Sequence, residues 1–288
     1  MSTVSETSVL ETVLRRDRWV VVAALVMVII AAWIWIVFGA GTGTTAVAMT
    51  QMAGMPDMDM MMERAVWTPS YAGLIFAMWW VMMLAMMLPS ATPMLLLFAR
   101  ANRTQKVRDR PYVATGFFAA GYLTAWGGFS LLAAGYVTAW GGFSLLAAGL
   151  QWGFEQLDLL GPMMTATNYS LGGAILLAAG LWQLTPLKGV CLRHCRSPLS
   201  FLAQQWRPGR LGAFRMGIEH GAYCLGCCWF LMGLLFFGGI MNLFWIAGLA
   251  LFILLEKTVP MGHWFSRIAG VCFAAWGVLL LVGAAGRE

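Results

Sequence analysis

The sequence predicts an all-α polytopic membrane protein, a bundle of about seven transmembrane helices with an unusually long third helix. Hydrophobic residues make up 60% of the 288-residue chain and charged residues only 10%, a composition typical of integral membrane proteins. Apolar runs of about 20 residues, enough to cross a hydrocarbon core about 30 Å thick, recur along the chain. Lys and Arg lie between those runs, so the basic pI of about 9.2 indicates topology and not nucleic-acid binding.

The first 70 residues divide into a tail, an anchor and an outer loop. Residues 1–18 form a polar N-terminal tail with a basic end, which we expect in the cytosol. Residues 19–39 are apolar for longer than the hydrophobic region of a cleavable signal peptide, and they predict a retained first transmembrane anchor. Residues 40–70 form an outer Met-rich loop. Residues 71–285 are expected to form one membrane-embedded bundle that also carries the metal-binding motifs described below.

Six further spans are expected within this bundle, at about 71–98, 113–150, 168–186, 220–240, 243–259 and 267–285. The third span of the chain contains a tandem repeat, because the 14 residues 121–134 recur at 135–148 with only Leu123 changed to Val137. One over-long helix and two short spans would both fit this apolar run.

The distribution of basic residues distinguishes these two arrangements. With a single third helix, only Arg64 and Arg287 of the 18 Lys and Arg lie on the outer side. A hairpin would turn the polar loop 187–217, with its six basic residues, to the outer face, against the positive-inside rule. We therefore predict one long third helix, with a cytosolic N-terminus and a C-terminus on the outer side.

Four potential metal ligands lead into the fifth predicted span: His220, Cys224, Cys227 and Cys228. Their spacing of i, i+4, i+7 and i+8 places them along one face of a helix. An imidazole and three thiols on one stripe suit a soft metal ion. Free Cys residues also pack as small hydrophobes between membrane helices, but three within five residues favour a metal site.

Two carboxylates accompany this stripe. Glu219 precedes His220, and Glu256 stands next to Lys257 at the end of the sixth predicted span. An ionisable residue inside a membrane segment is costly and therefore indicates function, although Glu256 could equally mark the cytosolic interface. We expect both carboxylates at the level of the cysteines, as a ligand, a counter-charge or a proton acceptor.

A second Cys/His motif lies in the predicted cytosolic loop and comprises Cys191, His194 and Cys195. It could form a second soft-metal site or a point where metal is handed on, and basic neighbours would help to keep its thiols ionised. A chance pair in a membrane-surface segment is an equal alternative. Cys272 stands alone in an apolar span and is expected only to pack.

The outer loop offers methionines at a spacing of three: Met49, Met52, Met55 and Met58. Thioethers are neutral, soft ligands that favour Cu(I) and do not form disulfides, so a flexible loop could wrap an ion. The alternative is a low-complexity loop whose methionines touch a membrane or a partner. For the methionines within the second span, such as Met78, helix packing is favoured.

Four segments together resemble a bacterial family known as predicted metal-binding integral membrane proteins, a domain of unknown function: 78–94, 186–195, 217–229 and 256–257. The resemblance covers about residues 70–265 and implies metal binding, without specifying the metal or an activity. The family pattern has a single third-span segment, and the doubled 14-mer departs from it.

The motifs thus predict a membrane protein that handles a soft metal ion, with copper favoured over zinc or iron. The resemblance implies a location in the bacterial inner membrane, where the N-terminus would be cytosolic and the C-terminus periplasmic. Metal trafficking or the loading of a metalloenzyme is the first interpretation, with a metallochaperone or metalloenzyme as partner besides the lipid bilayer. A membrane-bound metal-dependent oxidoreductase or its membrane subunit is the alternative, and an assembly factor without transport is a third. The chain has no phosphate-binding Gly motif, which argues against ATP-driven pumping.

Overall fold

A computed structural model describes residues 19, 22–53, 66–108, 138–161, 164, 169–207 and 209–285. Over these ranges the chain is helical and contains no β-sheet, which confirms the all-α prediction. The helices are α1 (Val22–Val37), α2 (Ala46–Met52), α3 (Pro69–Arg108), α4 (138–156), α5 (Tyr169–Leu184), α6 (Pro186–Arg196), α7 (Pro198–Gln205), α8 (Gly209–Gly238), α9 (Leu243–Thr258) and α10 (Gly262–Ala285).

Three described helices are long and apolar enough to cross a membrane: Pro69–Phe98, Leu211–Gly238 and Gly262–Ala285. The consecutive helices α5 and α6 would count as a fourth span if taken together, although they are bent by 66°. By this measure the described part of the chain supplies three or four spans, and the predicted total of about seven is not reached. Helix α1 is apolar but shorter.

The bend between α5 and α6 follows from the sequence Thr185-Pro186. Thr185 is extended, with ψ of 146°, and its hydroxyl accepts a hydrogen bond from the backbone nitrogen of Lys188. A proline at the first helical position fits this cap, and it biases the residue before it away from helical geometry. The segment predicted as the polar loop 187–217 is mostly helical. After the bend, α6 packs against α8.

Helices α5 and α10 approach closely and run antiparallel. A Cβ atom on Gly180 would lie 2.4 Å from the backbone nitrogen of Ala274, and one on Gly173 would lie 3.0 Å from the carbonyl oxygen of Gly277. Small residues at such positions let two membrane helices pack backbone to backbone.

The third predicted span is represented by α4, which continues to residue 156, six residues beyond its predicted end at 150. Helix α4 is joined to α3 by one buried hydrogen bond, which a second, partly buried hydrogen bond within α4 extends. The Trp79 indole donates to Gln151 at 3.0 Å, and Gln151 donates to Glu155 at 2.9 Å. Residues 113–137, with the first copy of the repeat, lie outside the described residues, so the single long helix stays a prediction.

Candidate metal centre

Helix α8 carries the predicted stripe and buries all of it. Cys224, Cys227 and Cys228 are at most 2% exposed, and His220 is 5% exposed. The helix is uninterrupted from Gly209 to Gly238, so the four side chains keep the spacing that sets them along one face. His220 lies one turn before Cys224, with its ring edge against Phe201 at a centroid distance of 5.4 Å.

Helix α6 brings the second Cys/His motif to the same place. The Cys195 thiol interacts with the thiols of Cys224 and Cys227. Cys191 lies beside α8 at Gly226, where an added Cβ would be 2.9 Å from the Cys191 sulfur. The two motifs, treated above as separate sites, are therefore neighbours. We call Cys195, Cys224, Cys227 and Cys228 the four-cysteine group.

Two thiols of this group donate to one backbone carbonyl. The Cys227 and Cys228 sulfurs lie 3.0 Å and 2.8 Å from the carbonyl oxygen of Cys224. Among the described residues, no three or more His, Cys, Asp or Glu side chains are already arranged to hold a metal ion. An ion bound by this group would have to replace the two thiol–carbonyl hydrogen bonds.

A buried ammonium group lies against the four-cysteine group. Lys257 is 7% exposed, and its nitrogen is 2.9 Å from the Cys224 sulfur and 3.4 Å from the Ser90 hydroxyl. A cation at this distance is placed to compensate the negative charge of a thiolate at Cys224. The thiolate is the form that binds metal.

Glu256 binds a different partner. Its carboxylate forms an ion pair with Lys188 on α6 at 2.5 Å, and both side chains are at most 1% exposed. The charge of Glu256 is thus compensated by Lys188, and the ammonium of Lys257 is left to the sulfur. Sequence reasoning treated both lysines as markers of topology and missed these roles. The adjacent charges Glu256-Lys257 at the end of an apolar helix were the signal that could have found them.

Two other predicted residues are engaged away from the thiols. The Glu219 carboxylate binds Arg207 at 2.8 Å and Arg215 at 3.4 Å, so these two arginines compensate its charge. The His194 ring stacks on Tyr223 with centroids 4.1 Å apart and planes 3° from parallel. Cys272, which was expected only to pack, is exposed on α10.

The methionines of the outer loop divide into two groups. Met49 and Met52 lie one turn apart on α2, and Met49 is 5% exposed. Helix α2 is held to the start of α9, because the Leu243 backbone nitrogen donates to the Thr50 hydroxyl at 2.9 Å. The flexible-loop prediction is therefore wrong for this part. Met55 and Met58 lie outside the described residues.

A family model described as PpoB2, copper chaperone, matches the chain over residues 76–134 and 129–280. The first match ends at the last residue of the first repeat copy and the second begins inside that copy, so the duplication falls where the matched segments meet. The second match contains the whole four-cysteine group. No curated protein and no solved structure matches this chain. Because the two matches together span well over half of the sequence, the chain belongs to the PpoB2 copper chaperone family.

Proposed function

We propose that this protein is an integral membrane copper chaperone that holds Cu(I) at the four-cysteine group and loads a metalloenzyme partner. The observation that carries the proposal is the meeting of two cysteine motifs, from α6 and α8, beside the buried ammonium of Lys257. Thiols are the soft ligands that select Cu(I). The ammonium compensates negative charge that the thiolates would otherwise bring into an apolar bundle.

The proposed ligands are Cys224 and Cys227, with Cys195, Cys228 and His220 within reach. Cys191 and His194 line the same helix pair and are proposed to assist transfer. Glu256 acts through its ion pair with Lys188. This pair joins α6 to α9 and so holds α6, which carries Cys195, in place. Glu219 is proposed to orient the N-terminal part of α8 through its ion pairs with Arg207 and Arg215.

Seven membrane spans are proposed, with the N-terminus in the cytosol of a bacterial cell and the C-terminus in the periplasm. Besides the candidate spans, α1 and α9 each have 16 residues and a length of about 24 Å, and 19 residues of α4 give about 28 Å. With modest thinning of the bilayer these lengths approach a hydrocarbon core of about 30 Å. The spans are then α1, α3, α4, the bent pair α5–α6, α8, α9 and α10.

The direction of transfer is proposed from ligand strength. Met52, Met55 and Met58 would capture Cu(I) on the outer side, where thioethers resist oxidation to disulfides. The thiols of the four-cysteine group bind Cu(I) more strongly than thioethers do, so the ion would move from the loop into the bundle before it reaches a partner.

Metal content of the purified protein tests this proposal. Full-length protein in detergent is loaded with Cu(I), freed of excess copper and analysed for copper per chain. The Cys224→Ala and Cys227→Ala variants should each lose most of the bound copper, because each removes a ligand. Cys272→Ala is the matched control, since this thiol is exposed on α10, and it should bind as the wild type does. Copper retained in both α8 variants would overturn the proposal.

A further inference from the structure

Two helices of the bundle, α3 and α8, run antiparallel and are bridged by large side chains. The rings of Trp79 and Phe236 have centroids 5.3 Å apart, and the sulfurs of Met87 and Cys228 are 3.9 Å apart. Between these two contacts α3 advances eight residues, from Trp79 to Met87, and α8 goes back eight residues, from Phe236 to Cys228. The two helices therefore keep the same register at both contacts. This register places the Met87 thioether against the four-cysteine group.

The separation of the two sulfurs suits a shared metal ion. With metal–sulfur bonds of about 2.3 Å, two sulfurs 3.9 Å apart subtend about 116° at the ion. That angle is near the 120° of a three-coordinate, planar site. The third ligand is close at hand, because the thiols of Cys224 and Cys227 both interact with Cys228.

We propose that Met87 is a copper ligand, which forms a mixed thioether–thiol site with Cys228 and one further thiol at one end of the four-cysteine group. This inference rests on the proposed function and names the position at which Cu(I) enters the group. Binding at Cys228 replaces the thiol proton that is now donated to the Cys224 carbonyl, the further thiol likewise exchanges its proton for the metal bond, and both protons are released to the solvent. Met87 binds as a neutral ligand and releases none.

The order of contacts along α3 supports entry at Met87. Met87 touches Cys228, and three residues later Ser90 touches Lys257, which in turn holds Cys224. In the other direction α3 leads to Trp79 and the polar contacts with α4. An ion that comes from the Trp79 end therefore meets the weaker Met87 thioether first and the Cys224 sulfur beside the ammonium second.

Several buried methionines on α3 serve packing, and they supply the matched control. Met78 is 0% exposed, as is Met87, but it lies nine residues away, about 13 Å along the helix. Leu replaces Met with little change in volume, at a cost below about 1.5 kcal/mol. Met78→Leu therefore reports the effect of a Met-to-Leu change in this core without removing the proposed ligand.

The test combines affinity with a signal local to Met87. Full-length protein carrying ¹³C-labelled methionine methyl groups is titrated with Cu(I) in detergent, and the Met87 methyl signal is assigned by its absence in Met87→Leu. We expect this signal to shift on binding while the Met78 signal stays in place. In competition with a chelator, Met87→Leu should weaken Cu(I) binding at least about tenfold, since even partners outside the ligand shell contribute that much. Met78→Leu should bind as the wild type does.

Three results would overturn the inference, and they differ in what they say of the proposed function. An unmoved Met87 signal in protein that binds copper through Cys224 and Cys227 removes Met87 as a ligand and leaves the proposed function standing. Equal affinities of Met87→Leu and Met78→Leu lead to the same conclusion. A wild-type protein that binds no Cu(I) would overturn both. If Met87→Leu does not fold, Met87→Ile provides the assignment, and the methyl shift is read in the wild type.

Discussion

Replacing Lys257 by Met tests whether the buried ammonium contributes to metal affinity. Met retains the length of the side chain and removes its charge. The Lys257 nitrogen is 2.9 Å from the Cys224 sulfur, and the side chain is 7% exposed, so water replaces little of the lost contact. Hydrogen bonds to charged groups contribute about 1.5–3 kcal/mol.

This range sets the expected size of the effect. Because about 1.4 kcal/mol corresponds to a tenfold change in a binding constant, Lys257→Met should weaken Cu(I) binding roughly 10- to 100-fold. The sign follows from the copper-free variant, in which the Cys224 thiol has lost the cation placed to compensate the negative charge of its deprotonated form. Cu(I) must then displace the Cys224 proton without a neighbouring cation, so the affinity should fall.

Chelator competition in detergent measures the affinity, and thermal unfolding confirms that each variant is folded. Lys257→Arg keeps the charge and should retain most of the affinity. Ser90→Ala removes only the longer contact of Lys257, at 3.4 Å, and should change the affinity less than Lys257→Met does. If folded Lys257→Met binds Cu(I) within twofold of the wild type, the ammonium has no role at the thiols.

Three further predictions concern stability and the outer loop. Glu256→Gln should lower the free energy of unfolding by about 3–5 kcal/mol, because it leaves Lys188 buried without its charged partner. The double variant Lys188→Met/Glu256→Gln should recover part of this loss, measured by thermal unfolding. Gly180→Ala should destabilise the protein by about 1–3 kcal/mol through a clash with the α10 backbone. Gly248→Ala is the control and should not destabilise it, because an added Cβ there meets nothing within 4 Å. Equal unfolding temperatures of the two variants would refute the close contact. Met49→Leu alone should leave copper uptake at limiting copper unchanged, because this side chain is buried; a large fall in uptake would assign it a capture role.

Local periodicity was enough to predict the stripe on α8. Cys224, Cys227 and Cys228 share a face because their spacing matches the helical repeat, and no tertiary contact is needed for that inference. The proximity of Cys195 could not be predicted in the same way. It depends on the 66° bend after Leu184, which sets the direction of α6 in space.

The buried lysines show a second limit of sequence reasoning. Counting basic residues treats every lysine as a marker of the cytosolic side, and under that rule Lys188 and Lys257 are alike. In the structure the first binds Glu256 and the second binds Cys224. Which partner each lysine binds depends on which helices are in contact. The adjacency of Glu256 and Lys257 in the sequence did not predict these partners. Similarly, the spacing of Met49 and Met52 did not distinguish a capped helix from a loop.

The ion pair between Lys188 and Glu256 has a kinetic consequence for copper release. It joins α6, which carries Cys195, to α9, which carries Lys257, and separating two charges in an apolar interior is costly. The ion pair therefore holds Cys195 in the bundle, so that this thiol does not leave together with the metal. Exchange of the metal with a partner protein should then be associative, which means that a ligand of the partner binds the ion before a thiol of this protein dissociates from it. In such a mechanism the observed transfer rate rises with the concentration of the acceptor, up to saturation of the encounter complex.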